Sequence, residues 1–201
     1  GLKMAILLPG GAGFIGSHTA IELLNAGKDI IIIDNFSNSK PEVLESIKKI
    51  TGKDFKFYEM DYLDNQKLEK VFQENKIEAV LNFAGFKAVG ESVKKPIEYY
   101  KNNISGALVL LETMKKYNVK KFIFSSSATV YGDPEQIPIT EDCKTGGTTN
   151  PYGTTKLFIE QILKDIYASD NSWDICILRY FNPIGAHESG LIGEEPQGWT
   201  K

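Results

Sequence analysis

Cysteine and histidine are scarce in this sequence, with two of each among 201 residues. Cys143 and Cys176 lie far apart, show no C-x-x-C spacing and have no histidine cluster beside them. Disulfide frameworks and zinc sites need closely spaced residues of these types. We therefore expect two reduced thiols, no bound metal and a cytoplasmic protein.

Long hydrophobic runs and blocks of like charge are also missing. The apolar run at 4–8 is shorter than a signal-peptide core, and no stretch approaches the roughly 18 apolar residues that indicate a membrane span. The net charge is −3, and lysine and glutamate alternate along the chain. Without a basic patch, nucleic acid is not an expected partner, and neither is a membrane.

The order of apolar and amphipathic segments predicts an α/β fold. Short β-branched runs alternate with longer segments of helical period, as in βαβ units whose parallel sheet is covered on both faces. Six such runs predict a Rossmann-like doubly wound parallel sheet of strand order 3-2-1-4-5-6, with ligands at the carboxyl ends of the strands. The predicted strands are 4–8, 30–34, 55–58, 79–83, 122–125 and 175–179. The predicted helices are 16–26, 41–51, 65–75, 96–117 and 152–168.

A glycine run follows the first predicted strand and begins the first helix. Gly10, Gly13 and Gly16 have the G-x-x-G-x-x-G spacing of a loop that approaches a pyrophosphate, with the helix N-terminus beside the anion. Asp34 ends the second predicted strand, where a carboxylate accepts hydrogen bonds from an adenosine ribose and repels a 2′-phosphate. This context favours NAD over NADP. The alternative is a plain glycine turn with a helix-capping aspartate.

Two neighbouring residues leave alternatives open. Asp61, just past the third predicted strand, is either an acceptor for the adenine amino group or a turn residue. Pro9 stands where such loops usually carry threonine, and proline removes a backbone N–H just before the glycines. We expect Pro9 to weaken the loop by about 1 kcal/mol.

An acid/base group is predicted beyond the fifth strand. Tyr152 and Lys156 are four residues apart and share a helix face. A nearby cation lowers a phenol pKa by about 1–3 units, so Lys156 and an oxidised nicotinamide together would make Tyr152 a base near neutral pH. Ser127 follows an apolar strand and supplies a hydroxyl at the same sheet edge. The alternative is an ordinary exposed tyrosine–lysine pair.

Three long motifs carry a specific resemblance. Ser127, Tyr152 and Lys156 have the order found in the short-chain dehydrogenase/reductase superfamily. Within its extended branch, the stretches NFAGFKAVGES (82–92), FIFSSSATVYG (122–132) and LRYFNPIGAH (178–187) resemble the UDP-glucose 4-epimerase family. Dehydratases of this branch place an acidic residue after the serine or threonine, whereas Ala128 and Thr129 follow Ser127 here. Dehydratases, decarboxylases and a non-catalytic NAD-binding fragment remain alternatives, because a fold does not fix a function.

The resemblance implies roles for individual residues. Ser127 would hold the sugar hydroxyl, Tyr152 would take its proton and Lys156 would bind the nicotinamide ribose. The substrates would be UDP-galactose and UDP-glucose, contacted by Lys87, Ser127, Tyr152 and Asn182, with Asn182 on the diphosphate. Besides Gly10, Gly13, Gly16, Ser127, Tyr152 and Lys156, the implied NAD site comprises Phe14, Ile15, Asp34, Asn35, Phe36, Ser37, Asn38, Ser39, Asp61, Tyr62, Phe83, Ala84, Gly85, Phe86, Lys87, Asn102 and Phe181.

The resemblance also implies an organisation. Members of this family continue past residue 201 into a smaller domain that grips the uridine. We therefore expect an NAD-binding domain at 1–181, the start of a truncated substrate-binding region at 182–201, and little or no turnover by these residues alone. Helices 96–117 and 152–168 resemble those through which the family dimerises, which makes a homodimer an expectation.

Overall fold

Six strands form one parallel sheet in the part of the chain that the structure, a computed structural model, describes: residues 3–133 and 141–180. Along the chain they are β1 (Met4–Pro9), β2 (Asp29–Asp34), β3 (Lys56–Glu59), β4 (Lys76–Asn82), β5 (Lys121–Ser127) and β6 (Asp174–Tyr180). Their order in the sheet is β3-β2-β1-β4-β5-β6. This confirms the predicted Rossmann-like order, with the switch point between β1 and β4.

Seven α-helices connect the described strands. They are α1 (Phe14–Asn25), α2 (Glu42–Thr51), α3 (Asn65–Glu74), α4 (Val89–Lys94), α5 (Pro96–Tyr100), α6 (Gly106–Lys116) and α7 (Pro151–Ser169). A π-helical segment, Lys101–Ser105, joins α5 to α6, and a 3₁₀ turn, Ala128–Tyr131, follows β5. The single helix predicted at 96–117 is thus interrupted by a π segment, and the short α4 is an element that the sequence pattern did not predict. No helix of these residues is long and apolar enough to cross a membrane.

The core lies in two layers on opposite faces of the sheet. Leu7 belongs to one cluster with residues of α3, α6 and α7, whereas its neighbour Leu8 belongs to another with residues of α1. Successive strand residues point to opposite faces, so strands covered on both sides are apolar throughout. Ile30, Ile31, Ile32 and Ile33 of β2 are all at most 3% exposed. These continuous apolar strands bring the loops at their carboxyl ends to one edge of the sheet.

Candidate functional site

The glycine loop lies between β1 and α1 and makes close backbone contacts. Gly10 has a φ of +73°, and a Cβ there would lie 2.6 Å from the backbone nitrogen of Ala84. A Cβ on Gly16 would lie 2.5 Å from the carbonyl oxygen of Gly10. Gly13 is the N-cap of α1 and has no side-chain partner for the helix N-terminus. The first-turn amides are therefore left for a ligand or solvent, as a phosphate-binding loop requires.

Pro9 is the last residue of β1, a central strand of the sheet. Its carbonyl accepts from the amide of Phe83 on the β4 side. The pairing of β1 with β2 extends to Pro9 opposite Ile33, but the pairing with β4 ends at Leu7 opposite Val80. A residue's N–H and C=O point to the same side of a strand, so the N–H that proline lacks would face β4. The expected weakening of the loop by Pro9 stays a prediction.

Asp34 connects the end of β2 to the glycine loop. Its Oδ2 accepts from the Ala12 amide at 3.1 Å, and its Oδ1 accepts from the Phe36 amide at 2.9 Å. Burial raises the pKa of this carboxyl, and the two amide bonds oppose that rise. Asp34 therefore does not cap a helix. It fixes the loop, and residues 34–39 form a turn in which Ser39 also donates to Asp34 and the Ser37 amide to Asn35.

Asp61 and Tyr62 follow β3 and both make contacts within the protein. Asp61 accepts from the amide of Leu63 at 2.9 Å, which is the hydrogen bond of a turn residue. Tyr62 is 6% exposed and donates its hydroxyl to the carbonyl of Asn102 at 2.6 Å. The predicted adenine contact of Asp61 stays a prediction, and the Tyr62 side chain supports Asn102.

Tyr152, Lys156 and Ser127 come together at the carboxyl end of β5. The Ser127 side chain lies close enough to the Tyr152 hydroxyl to lower its pKa, and Ser127 Oγ accepts from the Thr129 amide at 3.2 Å. Lys156 is 4% exposed, donates to the carbonyl of Ser125 at 2.8 Å and lies 5.9 Å from the centre of the Tyr152 ring. The alternative of an exposed tyrosine–lysine pair is therefore wrong.

Burial dominates the ionisation of this cluster. It raises the pKa of Tyr152, and the nearby Ser127 side chain opposes that rise. It lowers the pKa of Lys156 to about 7, with a further lowering from Lys87 and an opposing effect of Glu160. The protein's own side chains thus hold Tyr152 as a phenol, and the depressed pKa predicted for Tyr152 requires added positive charge next to it.

The start of α7 positions Tyr152. Asn150 accepts from the Gly153 amide at 2.9 Å, and Pro151 occupies the first helical position, where its missing N–H costs nothing. Gly153 packs against Thr129, with its Cβ position 3.2 Å from the Thr129 carbonyl. The helix start is therefore held directly against the turn that follows Ser127.

Lys87 lies between the two parts of the site. Its ammonium is 3.7 Å from the position a Cβ would take on Gly13. Its charge lowers the pKa of Asp34 and the pKa of Lys156. One cation of the loop after β4 thus faces both the glycine loop and the acid/base cluster.

A buried ion pair beneath the cluster was not predicted. Glu160 is 1% exposed, accepts from the Ser126 hydroxyl at 2.6 Å and binds Arg179 with a closest distance of 2.7 Å. Arg179 also donates to the Tyr131 hydroxyl at 2.9 Å. Ser126 and Tyr131 flank Ser127 on the chain, so this pair anchors both sides of it to α7. Glu160 lies four residues after Lys156 and so on the same helix face, and this spacing is the sequence signal that could have pointed to it.

Phe181 and Asn182, which the resemblance assigned to the NAD site and to the substrate diphosphate, lie outside the described residues. The described part contains no group of three or more His, Cys, Asp or Glu side chains that could hold a metal ion. The remaining predicted positions, including Phe14, Ile15, Asn38 and Phe83 to Lys87, lie in the loops or first helical turns at the carboxyl edge of β1, β2 and β4.

Fold and site together define a class: a doubly wound nucleotide-binding domain with a serine–tyrosine–lysine cluster at its ligand edge. The sequence matches the NAD dependent epimerase/dehydratase family over residues 6–194, and the chain belongs to this family. It is 65% identical over 195 residues to UDP-glucose 4-epimerase of Pasteurella multocida and 63% identical to that of Haemophilus influenzae. Each match covers 97% of this chain and 58% of the relative.

Solved structures agree with this assignment. The structure of UDP-glucose 4-epimerase from Bifidobacterium longum in complex with NAD+ and UDP superposes with a TM-score of 0.95 at 62% identity. The superposition covers 97% of this chain and 58% of the Bifidobacterium longum chain. The structure of the Stenotrophomonas maltophila enzyme, with NAD and formylated UDP-arabinopyranose, gives 0.93 at 46% identity. The chain therefore spans somewhat more than half the length of the relatives it matches.

Proposed function

We propose that this chain is the NAD-binding part of a UDP-glucose 4-epimerase, which interconverts UDP-galactose and UDP-glucose. The observation that carries the proposal is the Ser127–Tyr152–Lys156 cluster, with Lys156 buried, at the same sheet edge as the glycine loop. The relatives at 65% and 63% identity support the substrate class. Because they are covered only to 58%, we propose the activity for the whole protein, with a domain at 1–181 and a substrate-binding region that begins at 182.

The residues present fit a dinucleotide. Gly13 leaves the N-terminal amides of α1 without a side-chain cap. Gly10 and Gly16 have no side chain and pack closely against backbone, so a phosphate can approach these amides. Asp34 lies beside the loop, where its carboxylate suits a ribose hydroxyl and disfavours a 2′-phosphate. NAD supplies a hydride acceptor when it is bound. We infer that residues 34–39, Asp61, Tyr62, 83–87, Asn102 and Phe181 complete its site, as the resemblance implies.

Ser127, Tyr152 and Lys156 have different roles in removing the proton of the sugar hydroxyl. The Ser127 side chain lies close enough to the Tyr152 hydroxyl to affect its pKa, so a sugar hydroxyl that enters beside them meets both groups. Tyr152 accepts the hydroxyl proton once positive charge near its ring lowers its pKa. Lys156, held on the Ser125 carbonyl, does not lower the pKa of Tyr152 in the protein alone, so that charge would come with oxidised NAD when it is bound. We assign substrate contacts to Lys87, Ser127, Tyr152 and Asn182.

The residues after Ser127 favour epimerisation over dehydration. Ala128 and Thr129 carry no carboxylate, so no acid stands next to Ser127 to drive the loss of water. In the described residues, both cysteines lie outside any disulfide, which supports a cytoplasmic location.

Exposed apolar side chains on α5, α6 and α7 support a homodimer. Ile97 is 77% exposed, Leu108 is 45% exposed and Phe158 is 49% exposed. The Phe158 ring lies 6.5 Å from that of Tyr100, so α5 and α7 present adjacent surfaces. We propose that this patch, Ile97, Leu108 and Phe158, packs against the same patch of a second copy.

The decisive experiment measures bound cofactor. The purified chain is denatured, and released NAD is quantified per chain with an enzymatic cycling assay. We expect close to one NAD released per chain. If the purified chain holds less, adding NAD should raise the amount bound towards one per chain. A yield near zero that persists with added NAD would overturn the proposal. A Pro9→Thr variant measured alongside should hold NAD more tightly, since it restores a ladder N–H.

A matched pair of variants tests the assigned site. Asp34→Asn removes the charge at the carboxyl end of β2, and Asp29→Asn makes the same change at the exposed amino end of the same strand. We expect Asp34→Asn to weaken NAD binding about tenfold or more and to reduce the preference for NAD over NADP. Asp29→Asn should bind both cofactors as the unchanged chain does.

A further inference from the structure

Asn103 is a buried residue of the π segment whose side chain joins two parts of the site. It is 3% exposed. Its Oδ1 accepts from the Phe86 amide at 2.8 Å, and its Nδ2 donates to the Phe86 carbonyl at 3.0 Å and to Thr155 Oγ1 at 3.2 Å. A side-chain amide has two donors and one acceptor oxygen, so both ends of this group are engaged. Its orientation is therefore fixed by three bonds.

The π segment brings this amide to the site. Tyr62 donates to the carbonyl of Asn102 at 2.6 Å, a carbonyl in the segment that departs from the α-helical ladder. The Tyr62 ring packs against Gly106, and a Cβ on residue 106 would lie 2.1 Å from Tyr62 Cζ, so only glycine leaves room for the ring. A π turn inserts one residue into a helix and is frequent at functional sites. Here it aims Asn103 at the loop after β4.

The first part that Asn103 joins is the loop carrying Lys87. Gly85 in that loop has a φ of +131°, and a Cβ there would lie 3.1 Å from Asn103 Oδ1. Phe86, paired to Asn103 through both backbone polar groups, directly precedes Lys87. Lys87 in turn acts on the charge state of Lys156. The position of this cation therefore depends on how the loop is held.

The second part is the start of α7. Thr155 accepts from Asn103 and donates its hydroxyl to the carbonyl of Tyr152 at 2.7 Å. Thr155 directly precedes Lys156 and is fully buried. One amide thus links the Lys87 loop to the helical turn that carries the proposed acid/base pair.

We propose that Asn103 is a positioning residue that locks the Gly85–Lys87 loop to α7 and so fixes the distance between Lys87 and the Tyr152–Lys156 pair. The inference deepens the proposed function and rests on it for its meaning in catalysis. The lock itself is a property of the protein alone. Lys156 reports on it, because the charged or titratable groups that face its ammonium are Lys87, Glu160 and Tyr152.

The test titrates Lys156 by NMR of lysine side-chain nitrogens and measures the rate of NAD dissociation. Asn103→Leu, similar in size, removes all three bonds, and Thr155→Val removes only the link to α7. We expect the pKa of Lys156 to rise in Asn103→Leu, in the same direction as in a Lys87→Met reference, and NAD to dissociate at least tenfold faster. Thr155→Val should shift both quantities less, and Thr155→Ser, which keeps the hydroxyl, should restore both.

The outcomes separate this inference from the proposed function. Unchanged Lys156 titration in both Asn103→Leu and Thr155→Val overturns the lock, whether or not NAD binds. If Asn103→Leu does not fold, Thr155→Val decides alone, because valine matches the shape of threonine. A shifted titration in a chain that never holds NAD supports the lock and overturns the proposed function.

Discussion

Lys156 shows how a single buried charge couples the site to stability. Its ammonium is shielded from solvent, and burial lowers its pKa to about 7 in the folded chain from 10.5 for an ordinary lysine. The carbonyl of Ser125 and the Phe124 ring, 4.9 Å away, are its compensating contacts. Between these two pKa values the unfolded chain binds more protons than the folded chain, so the free energy of unfolding rises with pH.

Replacing Lys156 with methionine should remove this pH dependence. From pH 7 towards 10, Lys156 contributes a rise in the free energy of unfolding of up to about 1.4 kcal/mol per pH unit, and Lys156→Met lacks that contribution. The difference between the two chains, measured by chemical denaturation at several pH values, should therefore grow in favour of the native chain. Lys164→Met, on the exposed side of the same helix, is the control. Parallel curves for Lys156→Met and the native chain would contradict the burial argument.

At the scale of elements, the π segment depends on one small residue. Gly106→Ala places a Cβ inside the Tyr62 ring position, and such overpacking costs about 1–3 kcal/mol. Gly90→Ala in α4 makes the same exchange with nothing within 4 Å, and a helical glycine replaced by alanine gains up to about 1 kcal/mol. Thermal unfolding should thus show opposite signs for the two variants. Equal stability of Gly106→Ala and the native chain would mean that Tyr62 does not require this space.

The same segment shows where prediction from sequence succeeds and where it stops. β1 and β2 were located to within one residue because they are apolar on both faces, and that property shows in consecutive side chains. The π segment was missed because its cause, Tyr62, lies 40 residues away from Asn102. The roles of Asn103 and Glu160 depend on partners 17 to 52 residues distant.

The candidate site divides in the same way. Glycine spacing and the tyrosine–lysine pair are local patterns, so the sequence alone predicted Gly10, Gly13, Gly16, Tyr152 and Lys156 as site residues. The ionisation of Tyr152 was not, because burial of the cluster outweighs the neighbouring cation in the protein alone. Burial is a property of packing between α7, β5 and the π segment, and no short motif encodes it.

At the scale of the whole molecule, the predicted ligand site and the exposed apolar patch lie on different parts of the surface. The predicted site lies at the carboxyl ends of the strands. Leu108 and Phe158 project from helices that cover one face of the sheet, and Ile97 projects from α5, which packs against α7. Exposed apolar side chains on neighbouring helices gain from burial against a second copy, by about 25 cal/mol for each Å² removed from water. Two such helix pairs brought together form a four-helix interface.

A charge placed within this patch should separate the two copies without unfolding either. Ile97→Lys adds an ammonium at a side chain that is 77% exposed, so the fold of the single chain loses little stability. A symmetric dimer through this patch would have to bury the new charge in both copies. Tyr167→Lys, at a side chain of α7 that is 50% exposed and near the far end of that helix, is the matched control. In sedimentation equilibrium, the native chain and Tyr167→Lys should have twice the 22.4 kDa mass of one chain, and Ile97→Lys should have that single mass. A native chain that sediments as a monomer at micromolar concentration would refute the homodimer, and a dimer that survives Ile97→Lys would place its interface elsewhere.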